Sequence, residues 1–255
     1  MMDTAMMVCM SASGIARRAL DLLVDGLRMG LTQRGEAHLA LTGGSSASAL
    51  FGLLREDPRA RRVDWSAVHV WQGDERFVPM DHPDRNWTTA LREWLAAEDR
   101  AAIPTDHLHP MPIDEAIAAG EDNTGAARRY AQLIERTLPS RRGIPAFDVI
   151  LLGVGGDAHI LSTFPGTAPI NEHRVPVLAV PSPTHIEPHL PRVTLAPFLL
   201  EAAGAIVVMV PGDGKASAIR QCFTSPIDPS RLPAQLAIRP NAVWLLEPGS
   251  AAQTA

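Results

Sequence analysis

Cysteine is scarce in this chain: Cys9 and Cys222 are the only two in 255 residues. Two cysteines cannot build a disulfide framework, and the absence of any CxxC pair removes the usual thiolate route to zinc. No apolar run approaches the ~18 residues that a membrane-spanning helix requires. Basic excess is missing as well. The formal net charge is -5, which argues against a nucleic-acid surface while leaving room for a local basic pocket. Internal repeats and low-complexity linkers are absent. The methionine-rich start, Met1 to Met10, carries Asp3 and has no basic flank or long apolar core, so no secretory leader is expected. These absences lead us to expect a reduced, cytoplasmic setting without membrane association.

What is present has the balance of a globular protein, with 46% hydrophobic and 20% charged residues. The length allows one large domain or two small ones. Ile15, Ala19, Leu22, Leu23 and Leu27 recur at helical spacing, with Ser11 or Ser13 as N-cap. Short apolar runs at Ala37–Leu41, Val68–Trp71, Asp148–Leu152, Val175–Val180, Ala205–Val210 and Ala242–Leu246 read as strands. Helices are expected from about Ser45 to Arg55, over Asn86–Ala97 and Thr124–Leu138, and near Pro197–Ala203, Lys215–Cys222 and Leu232–Leu236. Residues 139–146 and 181–191 read as loops. Strands alternating with helices imply a three-layer α/β fold, its mostly parallel sheet covered on both faces. We expect a single domain over residues 1–255.

Three glycine-bearing strand ends carry the chemistry. Phe147 to Leu152 is an apolar strand that runs into Gly153, Gly155 and Gly156, followed by Asp157 and His159. In an open α/β sheet that is where ligands bind, and a histidine there can act as a general base. Gly43–Gly44–Ser45–Ser46 stands between a strand and a helix, where free backbone N–H groups and the helix dipole favour an anion. The pattern is neither G-x-x-x-x-G-K-[ST] nor G-x-G-x-x-G, so a nucleotide is not indicated. Asp74–Glu75–Arg76 follows the next strand; arginine is a planar fork of donors for phosphate or carboxylate, and an adjacent acid can hold it. Lys215 follows Gly212–Asp213–Gly214 and can complete an anion pocket as a point charge. His107 and His109 have no other ligands at metal spacing, while His185 and His189 lie in a proline-rich loop and read as surface or rim. No metal is assigned.

These segments, taken in order, resemble the 6-phosphogluconolactonases. Leu41–Ser46 is similar to their Gly-Gly-Ser/Thr loop, and Gly73–Pro79 to their Asp-Glu-Arg-x-Val-Pro segment, with Asn86 matching an asparagine ten residues beyond Arg76. Phe147–Gly166 resembles their Phe-Asp-x-x-Leu-Leu-Gly-x-Gly-x-Asp-Gly-His…Phe-Pro-Gly signature. Arg192–Leu195 and Val210–Ala216 resemble the later Arg-x-Thr/Ser-Leu and Gly-x-x-Lys-Ala elements. The likeness spans about residues 10–248. It implies a Rossmann-like fold shared with glucosamine-6-phosphate isomerase/deaminases, and hydrolysis of 6-phospho-D-glucono-1,5-lactone without metal or organic cofactor. We expect a monomer or weak homodimer whose partner is a phosphorylated sugar lactone, with no nucleic acid and no membrane.

On this reading His159 is the general base, and Asp157 either orients it or binds substrate hydroxyls. Backbone N–H groups between Gly153 and Asp157 face the oxyanion, and Gly43, Gly44, Ser45, Arg76, Arg192 and Lys215 hold the 6-phosphate. Ser46, Asp74, Asn86 and Gly155 complete the binding set. The deaminases continue past the histidine with Phe-Asn-Glu-Pro, whose glutamate joins the proton relay; here the stretch is Thr163–Phe164–Pro165–Gly166, with no acid. A non-catalytic sugar-phosphate sensor would need a DNA-reading domain, for which the roughly ten residues before the first helix are too few. Two departures from the family pattern stand out. Thr184–Pro191 replaces a usual Lys-Pro-Pro, so no lysine contact carries over, and Ala158 replaces a glycine. We expect negative φ at Ala158, with the turn rearranged to accept alanine.

Overall fold

The computed structural model describes residues 5–9, 11–96 and 103–251. The main sheet contains β1 (Ala5–Val8), β2 (Ala37–Leu41), β3 (Val68–Gln72), β5 (Leu108–His109), β8 (Val149–Gly153), β11 (Ala205–Val210) and β12 (Ala242–Leu246). All its pairings are parallel, in the order β1-β12-β11-β8-β2-β3-β5. The remaining strands, β4 (Asp74–Arg76), β9 (Val177–Val180) and β10 (Arg192–Leu195), form a separate antiparallel sheet. The pair β6 (Ser140–Arg141) and β7 (Ile144–Pro145) makes a hairpin.

Alternation along each central strand shows why the apolar runs are unbroken. Leu39, Val149, Leu151, Val207 and Met209 join the core beneath α1 (Ala12–Arg34), α2 (Ser45–Glu56) and α3 (Asn86–Ala90). Their neighbours Ala40, Ile150, Leu152, Ile206 and Val208 join the opposite core. That core also takes in α4 (Ile113–Ala118), α5 (Asn123–Thr137) and α6 (Ala216–Thr224). Both faces of the central strands are therefore covered, and among the polar side chains in the sheet His38 and Gln72 are buried. The short α7 (Pro248–Ala251) packs beside α6.

Caps and buried charges fix the ends. Ser11 Oγ accepts from Gly14 N at 3.2 Å at the start of α1, and Gly35 ends it with φ 79°. Asp148 holds the entry of β8 by accepting from Arg34 at 2.5 Å and from His38 N at 2.8 Å. It lies at the end of the strand remote from His159 and serves the scaffold.

Several elements differ from expectation. Val175–Val180 does not join the parallel sheet; β9 pairs antiparallel with β10. Gly73–Arg76 is not simply loop, since β4 pairs with β10. Within 139–146 the chain makes the β6–β7 hairpin, turning at Arg142 (φ 56°) and Gly143 (φ 79°), the two positive φ values of a type I′ turn. Pro197–Glu201 and Pro233–Ala237 are 3-10 rather than α-helical. The helix opening at Asn86 passes into a π-helical turn at Leu91–Leu95. Ala97, expected to end it, lies outside the described residues.

Strand order reverses between β2 and β8. From β2 the chain proceeds to β3 and β5 on one side, and from β8 to β11 and β12 on the other. The loops leaving β2 and β8 therefore diverge, opening a crevice at their carboxyl ends.

Candidate active site

The crevice is a cleft of about 310 Å³, bordered by the ends of β2, β3 and β8, the small sheet and the start of α6. On the β8 side, Ala158 N donates to Gly155 O at 3.1 Å, and Gly155 N donates to His159 O at 2.9 Å. This is the bonding of a tight turn followed by a left-handed residue. Ala158 is that residue, with φ 65° and no solvent exposure. The expected negative φ is thus wrong. Both peptide groups of Ala158 are committed, because its carbonyl also accepts from Ala234 N at 2.9 Å, and no local rearrangement keeps all three bonds. Gly155 is required for space: a Cβ there would come within 2.1 Å of His159 Nδ1.

That turn presents an acid and a base to each other. His159 Nδ1 and Asp157 Oδ1 are 2.6 Å apart, and His159 N also donates to the same oxygen at 3.2 Å. Burial works against the Asp157 charge, but the hydrogen bond and positive charge of His159, with a second hydrogen bond from His185, outweigh it. The carboxyl is held below the ordinary carboxylate range. An ionised carboxylate only accepts, so Nδ1 carries a proton, and Nε2 is the ring nitrogen that Asp157 does not engage. The His159 side chain remains 22% exposed and lines the cleft.

Opposite stand the cations. Arg76 and Arg192 are cross-strand partners in the β4–β10 ladder. Neither forms a salt bridge among the described residues. Arg76 donates to Asp84 O at 2.7 Å while its buried Nε has no partner. Arg192 donates to Leu190 O and Pro188 O and lies over Phe164. Burial, and then the charge of Arg76, lower its proton affinity. Lys215, at the start of α6, is likewise lowered by burial. Like charges opposite each other on a ladder cost roughly 0.2–1 kcal/mol, a cost an anion between them removes. Gly43 and Gly44 (φ 74°) complete the wall at the N-terminus of α2. Asn86 packs against Gly43 so closely that a Cβ would approach its side chain to 2.2 Å.

Gly43, Gly44, Asp74, Arg76, Asn86, Gly155, His159, Arg192 and Lys215 all border this one cleft. Asp157 stands behind His159. The side chains of Ser45 and Ser46 lie outside the described residues. Of the amides between Gly153 and Asp157, that of Gly155 is spent on His159 O, whereas those of Gly156 and Asp157 have no internal acceptor among the described residues.

Residues 10–245 match the family of glucosamine-6-phosphate isomerases/6-phosphogluconolactonase. The chain belongs to that family. Among curated relatives, a 6-phosphogluconolactonase of Nostoc sp. is 32% identical over 246 residues, covering 94% of each chain. One of Mycobacterium tuberculosis is 34% identical over 232 residues, 91% of this chain and 90% of its own. The solved 6-phosphogluconolactonase of Trypanosoma brucei superposes with a TM-score of 0.86 over 100% of both chains, at 24% identity, a likeness of fold.

Within this family member, three features escape sequence reasoning. Glu75 is fully buried and accepts from the backbone amides of Arg76, Asn86 and Trp87 at 2.8, 2.9 and 2.8 Å. It grips the backbone of Arg76 rather than its guanidinium, and burial raises its pKa. His185 is not merely rim: its Nε2 lies 2.8 Å from Asp157 Oδ2. His107 and His109 stack with His69 and Trp71, and His69 with His38, around β2, β3 and β5, and none of these side chains lines the cleft.

Proposed function

We propose that the protein hydrolyses 6-phospho-D-glucono-1,5-lactone to 6-phospho-D-gluconate in the oxidative pentose phosphate pathway. The carrying observation is one cleft that holds the Asp157–His159 pair together with Arg76, Arg192 and Lys215, none of them in a salt bridge among the described residues. His159 Nε2 takes a proton from water as the water oxygen bonds to C1, and the carbonyl electrons move onto oxygen. The Gly156 and Asp157 amides stabilise that oxyanion. On collapse the C1–ring oxygen bond breaks, and the imidazolium returns its proton to the departing oxygen.

Arg76, Arg192, Lys215 and the α2 N-terminus at Gly43–Gly44, with the hydroxyl of Ser45, bind the 6-phosphate. Asp74 and Asn86 contact the sugar hydroxyls, and Asp157 orients the base. No step calls for a metal or organic cofactor. The enzyme acts as a single domain in the cytoplasm, as a monomer or weak homodimer; no helix among the described residues is long and apolar enough to cross a membrane. A deaminase would need an acid after the histidine, where Thr163 and Phe164 stand, both buried. The test is hydrolysis of freshly generated lactone with the spontaneous rate subtracted. No excess over that background would overturn the reading.

A further inference from the structure

Asp157 has two carboxylate oxygens, and the second is also engaged. Oδ1 meets His159 Nδ1 at 2.6 Å while Oδ2 meets His185 Nε2 at 2.8 Å. His185 arrives from the 181–191 loop. Its ring stands edge-on to Phe164, 5.9 Å between centroids, and His159 leans on the same phenyl ring at 4.8 Å. Phe164 and Asp157 thus hold two imidazoles in one unit. The loop is anchored independently, since Arg192 donates to Pro188 O and Leu190 O and Ile186 lines the cleft.

We propose that His185 is a positioning residue for the lactone hydrolysis proposed above: it occupies Asp157 Oδ2, fixing the carboxylate so that Oδ1 holds His159 with Nε2 unprotonated. A carboxyl group with one free oxygen can rotate about its last bond, and it places its whole charge on the imidazolium. Both effects change the base. Rotation spoils the Nδ1 contact, and undivided charge favours the protonated form. A donor on Oδ2 removes both. The side chain of His185 is 47% exposed and that of His159 22%, which suits one residue for support and the other for chemistry.

Other charged groups around the pair are accounted for. Asp74, Arg76 and Lys215 line the cleft, and Arg192 lies on Phe164. On the same loop, His189 is satisfied by Pro183 O at 2.7 Å and Glu187 at 3.1 Å, so neither competes for Asp157.

The test compares wild type with His185→Ala and His185→Gln. The alanine variant should lose about tenfold in kcat, as a loosened base does, with KM within twofold. The acidic limb of its kcat/KM profile should move to higher pH, and glutamine, which keeps an N–H donor, should recover most of the kcat. Unchanged kcat and pH limb in His185→Ala would overturn the proposal, as would a loss expressed in KM alone. The His159 imidazole is also titrated by 15N NMR in free protein. It should titrate about half a pH unit or more higher in His185→Ala, and identical titrations would overturn the proposal too. This readout needs no turnover, so it decides the role of His185 even if wild type fails to hydrolyse the lactone.

Discussion

Replacing Ala158 by glycine tests the turn that carries the proposed base, His159. At φ 65° an L-residue bears a cost of about 1–2 kcal/mol that glycine does not. Against this, glycine frees the unfolded chain by about 0.4–1 kcal/mol. Ala158 is wholly buried, and its methyl contributes about 0.8 kcal/mol. These terms cancel to within about 1 kcal/mol, so Ala158→Gly should unfold close to wild type. The control is Ala19→Gly, also fully buried but inside α1. There glycine relieves nothing; the helical penalty and the lost methyl add to about 2 kcal/mol. Urea unfolding of the three proteins, with equal slopes, measures both differences. If Ala158→Gly loses as much as Ala19→Gly, the left-handed assignment is wrong and so is the turn built on it.

His159→Ala should lower kcat by roughly 10²–10⁴-fold while phosphate still binds; near-wild-type turnover in a folded variant removes the proposed base. Arg76→Ala and Lys215→Ala should chiefly raise KM, and inorganic phosphate should raise the wild-type Tm. Equal kcat/KM for phosphorylated and unphosphorylated gluconolactone would mean there is no phosphate site. Stability should also fall in acid. Burial, then the charge of His69, lower His38 to about 4, and burial likewise lowers His109 to about 4. The unfolded chain takes up these protons near pH 6.5, so the stabilisation is full above that value and is lost as pH falls towards 4. For His38 alone the loss between pH 7.5 and 5 is about 2 kcal/mol. His38→Asn, which keeps an acceptor for Trp71 Nε1, should flatten the urea-unfolding difference between those two pH values; an unflattened difference would falsify the assignment.

Legibility in the sequence followed burial. Ala37–Leu41, Ala205–Val210 and Ala242–Leu246 are readable to the residue because both faces of those strands are covered, leaving apolar runs that His38 alone interrupts. β4 and β10 carry charge at Asp74, Glu75, Arg76 and Arg192 because part of each borders the cleft, and that charge hides a strand. β5 is two residues long and has no period to detect. At the site, the Gly43, Asp74–Arg76, Gly153–His159 and Lys215 segments were visible because glycine punctuates each strand end. The His185–Asp157 contact spans 28 positions of chain and depends on how a proline-rich loop folds back. Nothing local encodes it. Ala158 was misjudged because its handedness follows from three hydrogen bonds, one of them to Ala234.

The closeness of Gly155 to the imidazole restricts what the proposed base can do with a proton. With backbone against Nδ1 and Cε1, and Phe164 on the same ring, His159 cannot swivel about its side-chain axis. Its inner nitrogen is already bonded to the carboxylate. A proton captured at Nε2 has one door, and it must leave by the door through which it entered. In a lactone this is no handicap, since the attacking and departing oxygens share one carbon and both pass the same point. An aldose–ketose isomerisation asks for more than one such group, because protons must also move between the two oxygens. A histidine held this way suits a reaction in which the proton returns from the nitrogen that took it.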